Sequence, residues 1–540
     1  MKKIIYNGKI RTGLKEYEEA MVIENGLIGE LGPNEEILKL KTDDSELIDL
    51  GGRLVLPGFN DSHMHFLNNG FYFSQVNLTE TKNIDEALAL YKRFINENES
   101  NGIKWIVGFG WNEDNWDDNR ILTKDDLDSV TTEYPVIAIR ACVHVCVLNS
   151  KALELIGIRK GTEQPETGSI ALNEDGEPTG VLYEMLAYIY KKMDTYTVDE
   201  IKKMLVLVSE AAAATGITSV QTDDFESIPG RCRDNIIKAY EELSEEGKLK
   251  VRVYEQCRIM NLDEYDDFKK QGYYSGRGDS FFRLGPLKTF CDGSLGGRTA
   301  WMKESYSDQD TCGIPIYKDE ELEALVERSH KDHMAVAVHA IGDAAVEQIS
   351  SIIKKVQNKF PEIKNRHGIV HSQIMSESSI DCESSEDIIA YIQPVFIKYD
   401  MHMAESRVGC KRLKHSYNYR EMYDKGIHIP FGTDSPVESF NPLNNIYCAV
   451  TRKDFGGFPE KGWDIEKALT LDESIKCYSE YPAFASYEEN LKGKIETGFY
   501  ADLVVLNEDI FNIEPENIKD VKVWMTIMNG DITYTMRDAD

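Results

Sequence analysis

Apolar and polar residues change rhythm along the chain. From Ile4 to Ile48 short apolar runs are broken by turn residues, as in "KIIYNGKI" and "EAMVIENGLIGELG". Runs of this length and texture predict strands, and their Asn-Gly pairs predict hairpins. The last segment, from "GKIETGFYADLVVLNED" to "VWMTIMNGDITYTM", reads the same way. Two β-rich chain ends of one style predict a small sheet domain assembled from both termini.

From about Val198 the rhythm becomes strand and amphipathic helix in turn. "VDEIKKMLVLVSEAAAATG" has helical spacing and ends in a glycine cap, and "ITSVQTDD" reads as a strand. Further strand-like runs are "KLKVRVYEQC", "RLGPLKTFCDG", "MAVAVHAIGD", "GIVHSQ", "IIAYIQPVF" and "IHIPFGTDSP". Such alternation predicts a parallel sheet of βα units. With the run that ends at "LPGFNDSHMHF", the strands number about eight, the count of a (β/α)8 barrel. Residues 72–197 fit the alternation poorly and are expected to form a long insertion after the first barrel strand. The boundaries expected are 1–55 and 486–540 for the terminal sheets and 56–485 for the barrel with its insertion.

The polar exceptions to this pattern fall at strand ends. His63 and His65 close the first strand, and one-residue spacing puts both on one face. Lys288 ends "RLGPLKTF", His339 ends "MAVAVHA", His371 ends "GIVHS" and Asp434 ends "IPFGTDSP". A barrel carries its chemistry at the C-terminal ends of its strands. Taken singly, each residue has an ordinary explanation. A strand-end histidine is commonly a hydrogen-bonded structural residue, a lone lysine is commonly solvated or salt-bridged, and Asp434 before Ser-Pro suits a turn or a cap. Taken together they share a cause. Four imidazoles and a carboxylate suit a zinc-like divalent ion, whose bound water has a pKa near about 7. An ammonium has no lone pair to offer. Lys288 joins such a set if CO₂ adds to its amine to give an anionic carbamate.

Composition narrows the classes. The chain has 540 residues, 41% hydrophobic and 10% aromatic, so a folded core is expected and disorder is not. The net charge of −32 argues against nucleic acid and anionic membranes. "MKKIIYNGKIRTG" lacks a long apolar segment, so no signal peptide is read, and no run approaches membrane-spanning length. The 10 cysteines form no C-x-x-C pair. They are expected as reduced thiols in a cytoplasmic protein. "DGSLGGR" lacks the P-loop pattern and is read as a turn. His330 and His333 precede a strand and are expected on the surface at the barrel's other end. The acidic "NEDNWDDN" run is read as a solvated loop.

The sequence resembles the amidohydrolase superfamily, in particular its YtcJ-like or amidohydrolase-3 branch, which includes N-substituted formamide deformylase-type enzymes. The resemblance rests on "LPGFNDSHMH", "GWNEDNW", "VHVCVLNSKALELIGI", "GEPTGVLYE", "TGITSVQ", "LKTFCDGSLGGRTA", "VAVHAIGDAAVE", "GTDSPVESFNPL" and "GKIETGFYADLVVLNED", in the family's order over nearly the whole length. It implies a (β/α)8 barrel with a small β-sandwich from the termini. It also implies one or two divalent ions, zinc being the expectation. His63 and His65 would hold the more buried ion, Asp434 would complete its site, and His339 and His371 would hold the second. Lys288, carboxylated, would bridge. Asp434 would also move the proton from nucleophile to leaving nitrogen. Family members are often dimeric, which makes a homodimer an expectation.

Around this set, Trp111, His144, Asp292 and Arg298 are the candidate substrate-binding residues, with Arg140 and Glu184 beside them. For each a plainer reading stands: a turn for Asp292, a structural salt bridge for Arg298, a satisfied core histidine for His144. The function expected is hydrolysis of a non-peptide carbon–nitrogen bond, an amide, N-acyl or N-formyl group of a small molecule. Deamination of a cyclic amidine, ester or lactone hydrolysis, non-catalytic metal binding and a scaffolding role are the competing readings.

Overall fold

The computed structural model describes residues 2–13, 16–98, 104–142, 144–165, 168–230 and 232–537. Its contacts divide the chain into two compact units. One comprises residues 1–66, 209–224 and 241–540, and the other residues 67–208 and 225–240.

The first unit is organised by seven parallel strands: β1 (Phe59–Met64), β2 (Ile217–Thr222), β3 (Arg252–Arg258), β4 (Phe282–Phe290), β5 (Val336–Ala340), β6 (Gly368–His371) and β7 (Ile389–Tyr391). They hydrogen-bond in chain order, each to the next. These strands are short and buried at nearly every position, on both faces, as parallel strands covered by helices are. The helix Asp343–Lys359 shows the other half of the unit, burying Val346, Ile349, Ile353 and Val356 along one side.

"IHIPFGTDSP" was expected as the eighth strand. It forms no regular ladder, yet it lies between β7 and β1. Ile392 N–H donates to the Pro430 carbonyl and Gly432 N–H to that of Ile392; on the other side Ser62 N–H donates to the Phe431 carbonyl. Pro430 and Pro436, flanking the crossing, have no N–H to give to a ladder, which accounts for the irregularity.

The chain ends form two further sheets within the same unit. One runs Leu27–Gly32, Ala20–Glu24, Lys2–Tyr6, Glu46–Asp49. The other runs Asp531–Thr535, Val523–Met528, Leu503–Leu506, Leu54–Pro57, Lys9–Gly13, Glu16–Glu18. Ile5, Met21 and Ile23 from the first share a core with Ile10, Val55, Leu503, Val505 and Met525 from the second. Asn25-Gly26 and Asn529-Gly530, each with two positive φ angles, make the expected tight hairpins. Asn7-Gly8 does not. Only Asn7 has positive φ there, and the strands on either side enter different sheets.

The segment read as an insertion has its own architecture. Its strands order as Ser169–Leu172, Pro178–Tyr183, Val145–Leu148, Val136–Arg140, Ile106–Trp111, Val76–Asn77. The helix Ile84–Asn98 contributes Ile84, Ala87, Leu88 and Tyr91 to its core. Residues 225–240, beyond the expected 72–197, belong to this unit as well.

Candidate metal centre

Strand register brings the polar strand ends to one level. Lys288 pairs with Arg258 across β3 and β4, His339 with Phe290 across β4 and β5, and His371 with Ala340 across β5 and β6. Asp434 is set beside β1 by two backbone bonds, its own N–H to the His63 carbonyl at 2.8 Å and His65 N–H to the Ser435 carbonyl at 2.8 Å. Asp61 reinforces this: its carboxylate accepts from Thr433 N–H at 3.1 Å and from the Thr433 hydroxyl at 2.7 Å. His371 and Asp434 both have positive φ, a strain that over-determined functional positions carry.

The result is a compact donor set. Asp434 Oδ1 lies 3.1 Å from His65 Nε2 and 3.5 Å from His63 Nε2. Donor atoms of these three residues all fall within 4.8 Å of one another. The ring centroids of His63 and His371 are 5.9 Å apart and those of His371 and His339 4.5 Å. Lys288 is wholly buried. Its Nζ lies 3.8 Å from the Phe290 ring centroid and has no hydrogen-bond partner among the described residues.

Hydrogen bonds behind the rings fix their tautomers. Gln256 spends its amide N–H₂ on the Ser62 carbonyl, so its Oε1 is what meets His63 Nδ1 at 2.7 Å. Gln393 does the same with the Tyr391 carbonyl and meets His371 Nδ1 at 2.7 Å. His65 Nδ1 donates to the Asp223 carbonyl at 3.1 Å, and His339 Nε2 donates to the Gly293 carbonyl at 3.0 Å. The proton of each neutral ring is thereby held on its outer nitrogen, and the inner nitrogen presents a lone pair. His371 Nε2 and His339 Nδ1 then face each other at 3.0 Å with a lone pair on each. His63 Nε2 likewise faces a carboxylate oxygen. Lone pairs converging this closely call for a cation between them, and imidazole nitrogen with carboxylate oxygen is a donor set that fits a divalent transition ion.

Electrostatics agree for three of the four rings. Burial, with the charge of Lys288, lowers the pKa values of His63 and His339, and burial pushes His371 down to about 4. These rings are neutral ligands at pH 7. Burial also opposes charge on His65, but the adjoining Asp434 carboxylate overcomes it and raises the ring to about 9, so at pH 7 this ring also holds a proton on Nε2 toward Asp434, which a bound cation would displace. Asp434, despite its burial, is held well below the carboxylate range by the His65 hydrogen bond and the surrounding imidazoles. Burial brings Lys288 down to about 8.

The other candidates are placed elsewhere or otherwise committed. Asp292 accepts from the backbone N–H groups of Trp301, Ile341 and Gly342 at 2.8, 3.0 and 2.8 Å, so it ties the loop after β4 to the end of β5. Its Oδ1 is 3.5 Å from His339 Nε2. Arg298 is paired with Asp308 at 2.9 Å, the structural alternative considered for it. Trp111 belongs to the second unit and is fully buried, stacked on Trp116 at 5.5 Å. Arg140 is engaged by Glu113 and Asp114 at 2.8 and 3.0 Å, so part of the acidic run is a docking point for this arginine. His144 corrects the core-histidine reading: it precedes the strand Val145–Leu148, is exposed, and bonds Glu184 at 2.9 Å. His330 corrects the surface reading. It is buried on the inner face of the helix Asp319–Lys331 and bonds His367 Nε2 at 2.8 Å, whereas His333 is exposed.

Four residues at the centre were not anticipated. Gln256, Gln393 and Gly293 act through the histidines, and nothing in a glutamine's sequence context marks that. Asp223 was legible, because "ITSVQTDD" also ends a strand-like run in an ionisable residue.

Comparison with known proteins gives this geometry a lineage. A family model described as "Amidohydrolase family" matches residues 46–534. The chain belongs to the amidohydrolase family. The YtcJ protein of Bacillus subtilis strain 168 is 32% identical to this amidohydrolase-family chain, covering 99% of both. The N-substituted formamide deformylase of Arthrobacter pascens is 24% identical, covering 98% of both. Among solved structures, a metal-dependent hydrolase from Pyrococcus horikoshii OT3 is similar with a TM-score of 0.79 and 26% identity, over 95% of this chain and 99% of that one. Membership makes the protein a hydrolase.

Proposed function

We propose that the protein is a two-zinc amidohydrolase cleaving the carbon–nitrogen bond of a small N-formyl or N-acyl compound. The observation that carries this is a pair of converging donor groups: Nε2 of His63 and of His65 with Asp434 Oδ1, and Nε2 of His371 facing Nδ1 of His339 at 3.0 Å. His63, His65 and Asp434 would hold one ion and His339 and His371 the other, with Lys288, as its carbamate, between them. When bound, divalent zinc supplies Lewis-acid polarisation of the substrate carbonyl and lowers the pKa of water. Asp434 would take the proton of the attacking water on the carboxylate oxygen not holding the ion and return it to the departing nitrogen, general acid–base work suited to a carboxylate among imidazoles. Gln256 and Gln393 keep the rings from turning. Similarity to a formamide deformylase supports the N-formyl class among amides.

The test begins with elemental analysis of the purified protein. Chelation should abolish release of amine from N-formyl and N-acyl amines, and zinc should restore it. Asp434→Asn should lower kcat by about 10²–10⁴-fold with the fold intact. A metal-free protein, or hydrolysis indifferent to chelation, would overturn the reading.

A further inference from the structure

Asp223 follows β2 directly, one residue beyond Thr222. Its backbone N–H donates to the Met64 carbonyl at 3.1 Å, which locks it beside the end of β1. Its own carbonyl accepts from His65 Nδ1. The side chain is fully buried, and neither carboxylate oxygen has a hydrogen-bond partner among the described residues. A buried carboxylate left this way is strongly unfavourable unless something compensates it. The group opposite is Lys288. Its Nζ, equally buried and equally without a hydrogen-bond partner among the described residues, lies 3.9 Å from Asp223 Oδ2. Two unsatisfied groups of opposite kind thus face each other across a gap slightly too wide for a hydrogen bond.

We infer that Asp223 is the positioning residue for Lys288, its carboxylate accepting the N–H of the lysine side chain and aiming that side chain between the His63/His65/Asp434 and His339/His371 groups. The geometry requires no particular state of the lysine, because an ammonium, an amine and a carbamate nitrogen all keep an N–H to donate. Arg258 and Asp434 also act electrostatically on the amine, but the ion pair formed by Lys288 among the described residues is with Asp223. Asp223 therefore serves two predicted ligands at once, His65 through its main chain and Lys288 through its side chain.

The inference rests on the two-ion reading above, and the test separates the two. Zinc content and affinity are measured by elemental analysis and by competition with a chromophoric chelator, alongside the visible spectrum of the cobalt-substituted protein. Asp223→Ala leaves the backbone hold on His65 in place and should bring zinc from two ions per chain to one, changing the cobalt spectrum. Asp223→Asn keeps an acceptor oxygen; it should retain two ions, the second bound about 10-fold more weakly. A purely structural role would lower the unfolding midpoint without altering stoichiometry. If Asp223→Ala retains two ions at wild-type affinity, the inference is wrong and the metal reading stands. If the wild type binds no zinc, the metal reading itself has failed. Should Asp223→Ala not fold, the Asp223→Asn titration decides, and an unchanged second affinity overturns the proposal.

Discussion

At the scale of single residues, the centre depends on which nitrogen of each ring carries its proton. His63 and His371 are directed by glutamines whose amide groups can face only one way, because their N–H₂ ends are spent on main-chain carbonyls. Replacing Gln256 or Gln393 by Leu removes the acceptor and leaves a buried Nδ1–H unpaired, at a cost of about 1–3 kcal/mol. The ring is then free to turn or change tautomer. Zinc affinity should fall about 10–100-fold in either variant, while the Glu replacement, which keeps an acceptor oxygen, should lose far less. Chelator competition reads both, and equal affinity in the Leu and Glu variants would refute the tautomer argument. The six strand-end candidates were visible in the sequence because each is an ionisable residue closing an apolar run. The glutamines were not, since an uncharged side chain at a strand end has no exceptional pattern to betray it. Asp223 could have been found by the rule that found Asp434.

At the scale of elements, period and apolarity located β1 to β7, since a short run buried on both faces has few alternative fates. The eighth segment shows where patterning stops. "IHIPFGTDSP" has the right composition, but its prolines deny it a ladder, and it is held by a few bonds to β7 and β1. Its seat against β1 is close. A Cβ on Gly432 would lie 2.6 Å from the His63 backbone nitrogen and 2.8 Å from the His63 oxygen. Backbone cannot yield as a flexible side chain can, so Gly432→Ala must push the segment away from β1. The expected loss is about 1–3 kcal/mol of stability, measured by urea unfolding. Asp434 lies two residues further on, so zinc content should fall with it. A variant of wild-type stability and zinc content would show that this approach is not what positions Asp434. The Asn7-Gly8 turn marks another limit of local reading: a hairpin dipeptide predicts a reversal, but which sheet receives the next strand is decided by long-range pairing.

At the scale of the whole molecule, the chain ends are tied to the strands that carry the centre. The strand Leu54–Pro57 pairs antiparallel with Leu503–Leu506 immediately before the chain enters β1. Next to that crossing, Arg252 at the start of β3 meets Asp502, with Nε to Oδ2 at 2.7 Å and both side chains nearly inaccessible. Asp502 Oδ1 also accepts from Asn529 N–H at 2.7 Å, so one carboxylate joins a barrel strand to two parts of the C-terminal sheet. The guanidinium is further enclosed by the Tyr500 ring at 3.9 Å. A buried pair of this kind adds little over an apolar replacement, because desolvating both charges offsets most of their attraction. Removing one partner is different, since the other charge stays buried alone. Asp502→Asn or Arg252→Met alone should therefore destabilise the protein by about 3–5 kcal/mol in chemical denaturation. Arg252→Met combined with Asp502→Asn leaves no charge stranded and retains an acceptor for Asn529 N–H, so it should recover most of that loss. The double-mutant cycle would then give a large coupling energy between two residues 250 positions apart. Additive effects would mean that the ion pair is not what fastens the C-terminal sheet to the barrel. Strong coupling would mean that the ends of the chain hold β1 and β3, and through β1 the histidines His63 and His65, in register.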